Sequence, residues 1–289
     1  MKNKTKSFFL ICLIIFAFAL GAVFVFSEPC FTVQPAQSES KILQQVDAES
    51  IIFLTVPLYH HEDSYKLLLV NEEYSKLLEE GAKKIVPAYG RVPLSTSEIQ
   101  LEEETLLQAE KMFTAAAEAG ITNLVVTSGY RIKQEQEKLY REAKNKKYVA
   151  RPGTSEHELG LALDIQVLRS ITALKTKRWL AQHAHKYGFI MRYPQEKVAH
   201  TGKPYEPWHY RYVGNPHAAV IYESGFCLEE YIAALEPGNF YQAAFAGKKY
   251  LLYRVKAQGN YLPVPQGRNY WFSSDGTGHY IVTAEIGLE

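Results

Sequence analysis

Cysteine is scarce in this chain of 289 residues, which has only Cys12, Cys30 and Cys227. Three cysteines without a CxxC spacing exclude a disulfide scaffold and a cysteine-ligated structural zinc. Charge of one sign is also lacking, because 32 basic side chains stand against 31 acidic ones. The chain therefore has no excess of cations to collect nucleic-acid phosphates. It contains no GxxxxGK[ST] motif either, which excludes a phosphate-loop nucleotide site.

A long apolar run lies at the N-terminus, behind Lys2, Lys4 and Lys6. Residues 8–26 contain no acid, base, Asn or Gln, and as a helix they would span about 28 Å, the thickness of a bilayer's hydrocarbon core. The lysines favour a cytoplasmic N-terminus. We therefore predict a basic stub and signal anchor over 1–26, with the rest of the chain outside the cell. A cleaved signal peptide is the alternative, but the run ends without a small-x-small cleavage site.

The remaining sequence divides into three segments. Residues 27–65 are polar and mixed, and we interpret them as an extracytoplasmic tether. Residues 66–236 carry helical periodicity followed by short strand-like runs with tight turns, which predicts an α+β domain with a small, mainly antiparallel sheet flanked by helices. Residues 237–289 are strand-like, with a hairpin signal at 274–276, and predict a small all-β appendage.

His157 and Asp164 differ from the other candidate polar residues in their surroundings. They lie seven positions apart, about 23 Å on a straight strand or about 10 Å on a helix. Neither spacing allows both to bind one metal without a turn, which Gly160 could supply. Asp164 stands among apolar residues, where a carboxylate is costly unless it is paired or bound to a cation.

A second cluster, Glu206-Pro207-Trp208-His209, completes a candidate metal site. Two histidines and Asp164 make three ligands, the number found in catalytic zinc sites that keep one position open for water. Glu206 then has no ligand role and is placed to take a proton from that water. An HExxH site is excluded because position 161 is Leu, and a penicillin-binding serine mechanism because the single SxxK, 38–41, lies in the polar tether without partner motifs.

Three separated motifs resemble the VanY-type zinc D-alanyl-D-alanine carboxypeptidases. They are TSGYR at 127–131, SxHxxGxAxD at 155–164 and ExWHxRYVG at 206–214. The resemblance covers roughly 66–234. That family is related to the VanX-type dipeptidases and shares the small zinc-peptidase fold of hedgehog signalling domains.

The resemblance implies one Zn²⁺ per chain, bound by His157, Asp164 and His209, with Glu206 as general base and acid. It implies that Arg131 holds either the developing oxyanion or the C-terminal carboxylate of the peptide, and a permanently charged guanidinium suits both roles. Further predicted substrate contacts are Gln136, Ser155, Tyr193 and Trp208. For Tyr193 and Trp208, the alternative to a substrate contact is packing in the hydrophobic core.

The function implied by the resemblance is that of a bacterial, membrane-anchored, extracytoplasmic hydrolase. It would remove the C-terminal D-Ala from the pentapeptide stem of peptidoglycan precursors, a reaction that serine-type carboxypeptidases also catalyse. A contribution to vancomycin resistance is implied in the same way. The alternatives are a zinc D,D-dipeptidase, an L,D-carboxypeptidase acting on muropeptides, and a membrane-tethered muropeptide sensor that does not hydrolyse its ligand.

Overall fold

A computed structural model describes residues 43–58, 65–74, 84–169 and 171–288. The predicted signal anchor over 1–26 lies outside these residues. Within them, we find no helix that combines the length and the apolar character needed to cross a bilayer. They belong to one compact unit.

The described residues form thirteen β-strands and six α-helices. The strands are β1 Gln44–Val46, β2 Phe53–Pro57, β3 Ile85–Pro87, β4 Gln100–Glu102, β5 Leu124–Ser128, β6 Ala162–Val167, β7 Phe189–Met191, β8 His209–Tyr212, β9 Phe240–Phe245, β10 Lys248–Val255, β11 Tyr261–Pro265, β12 Tyr270–Ser274 and β13 Tyr280–Leu288. The α-helices are α1 Glu103–Glu118, α2 Lys133–Glu142, α3 Ala173–His183, α4 Val198–Thr201, α5 His217–Ser224 and α6 Leu228–Ala234. Short 3-10 turns cover Lys146–Tyr148, Glu156–Leu159, Ala184–Tyr187 and Gln195–Lys197.

A four-stranded antiparallel sheet in the order β5-β6-β8-β7 carries the predicted site. Its strands are short and rich in β-branched or aromatic residues, which suit a pleated, half-buried surface. The prediction of an α+β domain with a small antiparallel sheet is confirmed.

Helix α1 packs through one face into the apolar cluster that also contains residues of β5 and β6. The Glu102 carboxylate caps its first turn by accepting hydrogen bonds from the backbone N–H groups of Glu104 and Thr105. Because side chains three and four positions apart share a face, the apolar residues of α1 form one buried stripe. That stripe consists of Leu106, Ala109, Met112, Phe113 and Ala116.

A second antiparallel sheet, in the order β1-β9-β10-β13-β12, contains most of the C-terminal strands. The predicted β-rich character of 237–289 is thereby confirmed. The structure adds β1 to this sheet and pairs β2 with β11, so the segment predicted as a tether contributes two strands. One apolar cluster crosses residue 236, since it includes Val213 and Tyr231 as well as Leu252. The boundary at 236 stays a prediction.

Gly160 supplies the predicted turn between His157 and Asp164. It ends the 3-10 turn in the left-handed conformation, with φ +75°. A Cβ on this residue would lie 2.6 Å from Ile85 Cδ1 and 3.1 Å from the backbone nitrogen of Glu102. The left-handed conformation therefore favours glycine, and the nearby Glu102 backbone adds a steric penalty to any larger residue.

We expect Gly160→Ala to lower the free energy of unfolding by about 2 kcal/mol or more, because it adds steric overlap to an unfavourable φ. Urea unfolding followed by circular dichroism measures the loss. Gly120→Ala is the matched control, since Gly120 has φ +76° and nothing within 4 Å of an added Cβ. Equal losses in the two variants would contradict the steric part of the prediction.

Candidate metal centre

The sheet register brings Asp164 and His209 together. Across β5, β6 and β8, Ser128 pairs with Asp164 and Asp164 pairs with His209. Directly paired positions on neighbouring strands place their Cβ atoms about 4.5–5.5 Å apart. Two of the predicted ligands are therefore direct cross-strand neighbours, although 45 positions separate them in sequence.

His157 reaches the same point from the 3-10 turn before β6. Its Nδ1 lies 2.7 Å from the backbone carbonyl oxygen of Gly129, and the Arg131 N–H donates to the His157 carbonyl at 3.2 Å. A ring nitrogen that donates to a carbonyl fixes the tautomer and leaves the other nitrogen free as a ligand. His157 thus presents Nε2 to the site.

The ligand atoms of His157, Asp164 and His209 all lie within 4.8 Å of one another. Asp164 Oδ1 is 3.4 Å from His157 Nε2 and 3.0 Å from His209 Nδ1. Ligand atoms of a tetrahedral zinc lie about 3.3 Å apart when each bond is near 2.0–2.1 Å. The spacing and the donor set of two imidazoles and one carboxylate therefore fit Zn²⁺.

Glu156 fixes the orientation of His209 from behind the site. Its Oε2 lies 3.1 Å from His209 Nε2, which leaves Nδ1 to face the metal. The Glu156 side chain is fully buried, and its Oε1 lies 2.7 Å from Arg192 Nε and 2.8 Å from an Arg211 guanidinium nitrogen. Burial by itself would raise the pKa of Glu156, but the two guanidinium groups outweigh it and hold that pKa well below its usual value.

The charge of this buried group is balanced by a fourth residue. Arg192 also donates two hydrogen bonds to the Glu229 carboxylate, at 2.8 and 2.6 Å. The side chains of Arg192 and Arg211 are fully buried, and Arg211 further donates to the Leu68 carbonyl at 3.0 Å. Two carboxylates and two guanidinium groups make a neutral cluster, as buried charges require. The sequence analysis missed this cluster.

Glu206 lies at the cavity beside the metal ligands. A backbone turn holds it, because its N–H donates to the Tyr193 carbonyl at 3.0 Å and its carbonyl accepts from the His209 N–H at 3.1 Å. Its side chain is only 6% exposed and makes no hydrogen bond to another described residue. Burial raises the pKa of Glu206 to about 7, a suitable value for a general base near neutral pH.

Arg131 is held at the other side of the cavity. Its guanidinium donates to Ser128 Oγ at 2.9 and 3.2 Å and to Gln136 Oε1 at 2.7 Å. The same group lies 3.6 Å from Asp164 Oδ2. Gln136 is fully buried, and its amide donates to the Ala150 carbonyl at 2.7 Å. We predicted Gln136 as a substrate contact, whereas the structure places its side chain against Arg131, where it positions the guanidinium.

The cavity has a volume of about 190 Å³ and brings together the other predicted contacts, Ser155, Tyr193 and Trp208. The Tyr193 ring stacks on the His209 ring with centroids 5.1 Å apart. Trp208 is 39% exposed and its ring lies 6.2 Å from that of Tyr148. Core packing therefore does not explain Trp208, which forms part of the cavity wall.

Three metal ligands, a buried carboxylate with a raised pKa and a fixed guanidinium, grouped around one small cavity, define a metal-dependent peptidase site. Arg131 supplies a permanent positive charge for an anionic end of the substrate or for a developing oxyanion. Glu206 offers a buried carboxylate whose raised pKa suits a proton acceptor.

Comparisons with known proteins agree with this class. The family model VanY, D-alanyl-D-alanine carboxypeptidase, matches residues 98–215. A D-alanyl-D-alanine carboxypeptidase of Enterococcus faecium is 34% identical over 229 residues, which cover 75% of this chain and 74% of that protein. The chain belongs to the VanY family of D-alanyl-D-alanine carboxypeptidases and is a zinc-dependent hydrolase.

Two solved structures are similar to the chain. The vancomycin resistance D,D-dipeptidase VanXYg, in complex with a D-Ala-D-Ala phosphinate analog, has a TM-score of 0.68 and 29% identity, covering 81% of this chain and all of that one. VanYB, in complex with D-alanine-D-alanine, has a TM-score of 0.51 and 33% identity, covering 59% of this chain and 99% of that one.

Proposed function

We propose that this enzyme removes the C-terminal D-Ala from the pentapeptide stem of peptidoglycan precursors. The observation that carries the proposal is the position of Arg131, whose guanidinium lies 3.6 Å from the metal ligand Asp164 at one wall of the cavity. A fixed cation beside the metal centre suits a peptide that ends one residue beyond the scissile bond, because its terminal carboxylate then reaches the guanidinium. The D-Ala-D-Ala phosphinate analog bound by VanXYg and the D-alanine-D-alanine bound by VanYB support the same substrate class.

In the proposed reaction the residues of the site have separate roles. His157, Asp164 and His209 would hold Zn²⁺, which would supply Lewis-acid chemistry toward water and the scissile carbonyl. Glu206 accepts the proton of the attacking water and later gives it to the amine of the leaving D-Ala. Arg131 binds the terminal carboxylate or the oxyanion, with Ser128 and Gln136 fixing its orientation.

We also propose that the N-terminal segment anchors the enzyme in the bacterial membrane with the catalytic domain outside. The apolar run 8–26 behind three lysines supports this location. There the enzyme would meet precursors at the outer leaflet, and loss of terminal D-Ala would remove the D-Ala-D-Ala end that glycopeptides bind. Protease treatment of intact protoplasts tests it, because an extracytoplasmic domain is digested and a cytoplasmic one is protected.

Product analysis of three substrates tests the activity. We expect mass spectrometry to show loss of one D-Ala from a stem pentapeptide, and little cleavage of the tetrapeptide or of free D-Ala-D-Ala. A chelator should abolish the reaction and added Zn²⁺ should restore it, because coordination by the three ligands is reversible. Preferred cleavage of the tetrapeptide would indicate an L,D-carboxypeptidase, and preferred cleavage of the dipeptide a D,D-dipeptidase. Tight binding without turnover would indicate a sensor.

A further inference from the structure

A second, larger cavity adjoins the catalytic one. It has a volume of about 480 Å³ and is lined by Lys146, Lys147, Arg151 and Lys203, with Glu72 as its one acidic lining residue among those described. We call it the basic groove. Four positive charges against one negative charge leave it with a net charge of +3, whereas the whole chain has a formal charge of only +1. Positive charge is therefore concentrated here.

None of the four cations of the basic groove forms an ion pair with a described residue, although Lys203 lies close enough to Glu206 to act on its carboxylate electrostatically. The Lys146 ammonium lies 4.6 Å from the centroid of the Tyr140 ring, a cation–π contact. The charged groups of Lys147, Arg151 and Lys203 make no ion pair with any residue that the structure describes. Lys197, by contrast, forms an ion pair with Glu230 at 2.7 Å. Like charges that line one cleft attract an anion into it.

Two features join the basic groove to the catalytic cavity. Lys203 lines both cavities. The segment 146–151 separates them, because Lys146, Lys147 and Arg151 face the groove while Tyr148, Val149 and Ala150 line the catalytic cavity. A peptide that leaves the catalytic cavity past this segment enters the groove.

We propose that the basic groove binds carboxylates of the substrate on the amino-terminal side of the scissile bond, so that the enzyme prefers an anionic stem peptide to a neutral one. The inference rests on the proposed function. An extended peptide advances about 3.3–3.6 Å per residue, so residues two or three before the scissile bond reach an adjoining cavity. A diphosphate joined to the sugar at the far end of the stem lies several residues further away. Distance therefore favours peptide carboxylates over phosphate.

Two peptides that differ in one charge test this inference. Both end in D-Ala-D-Ala; one carries a free α-carboxylate on the glutamyl residue of the stem, and the other carries the amide there. For the wild-type enzyme we expect kcat/KM to be about tenfold higher for the peptide with the free carboxylate, mainly through a lower KM. A tenfold preference corresponds to the contribution of one hydrogen bond to a charged group. The preference should shrink as salt is added.

The variant Lys147→Gln with Arg151→Gln should make the two peptides equivalent. The matched control is Lys111→Gln with Lys256→Gln, which removes the same charge from exposed positions on α1 and after β10 and should keep the preference. Thermal melting confirms that both variants are folded.

A preference for the anionic peptide that is retained in the groove variant overturns the inference. A stimulation of activity seen only with a diphosphate-bearing carrier also overturns it. Equal turnover of both peptides by the wild type also overturns it and leaves the proposed function standing, whereas release of D-Ala from neither peptide refutes the proposed function.

Discussion

Glu206→Gln should lower kcat for a D-Ala-D-Ala peptide by at least about 10³-fold while the protein keeps its zinc. A general acid–base residue contributes roughly 10²–10⁴-fold, and in the proposed mechanism Glu206 serves in both proton transfers. Glutamine preserves the size of the side chain but accepts no proton. Because Glu206 is not among the three clustered ligands, the metal content measured by mass spectrometry should stay at one ion per chain.

His157→Ala is the contrasting variant, since it should lose both the zinc and the activity. The two variants together separate proton transfer from metal binding. Full activity in Glu206→Gln, or a wild-type zinc content in His157→Ala, would show that these roles are misassigned.

The same Glu206→Gln variant has an expected effect on stability that depends on pH. In the metal-free protein burial raises the pKa of Glu206 from 4.5 to about 7, so the folded state holds the proton more tightly than the unfolded state does. Stability is then lost as pH rises from about 4.5 through 7. Above pH 7 the metal-free variant should be more stable than metal-free wild type, by about 3 kcal/mol. Urea unfolding at pH 8 and pH 5 measures this gain, which should shrink at the lower pH.

The metal-ligand candidates could be predicted from sequence because they lie in recognisable motifs and one of them breaks a local pattern. Asp164 is a carboxylate in an apolar strand, and Gly160 stands where His157 and Asp164 need a turn between them. The structure confirms that turn, with φ +75° at Gly160, and brings the three ligand atoms together. The position of Glu206 beside the ligands follows from the turn that precedes His209.

The buried charge cluster could not be predicted in the same way. Glu156 contacts Arg192, 36 positions away, and Arg192 contacts Glu229, a further 37 positions on. Neither separation corresponds to a helical or strand period, so each charge looked like an ordinary surface residue. One local sequence signal for a buried charge was available, because Arg211 lies between Tyr210 and Tyr212. The structure shows that the strand containing these residues is buried throughout.

The pairing of β1 and β2 could not be predicted from the sequence either. Gln44 pairs with Gln242 and Phe53 pairs with Pro265, across about two hundred intervening residues. β1 has three residues, two of them exposed, so it shows no hydrophobic alternation that would indicate a strand. Only the completed C-terminal sheet provides the edge to which it binds.

Arg192→Met should produce the largest loss of stability, a decrease of about 3–5 kcal/mol in the free energy of unfolding. Arg192 is fully buried and is bonded to both Glu156 and Glu229, so its removal leaves Glu229 without its counter-ion and the fully buried Glu156 with Arg211 alone. Methionine fills much of the same space, which limits the contribution of a cavity. Urea unfolding of the zinc-loaded protein measures the decrease.

The exposed pair of Arg91 and Glu110 is the matched control. The side chains of Arg91 and Glu110 are 34% and 39% exposed. Arg91→Met should therefore change the free energy of unfolding by about 1 kcal/mol or less. Arg192→Met should in addition weaken zinc binding by about 10–100-fold, since the Glu156 carboxylate that orients His209 loses one of its supports. A chelator competition assay measures that affinity. If Arg192→Met and Arg91→Met are equally mild, the cluster is not what holds His209 in place.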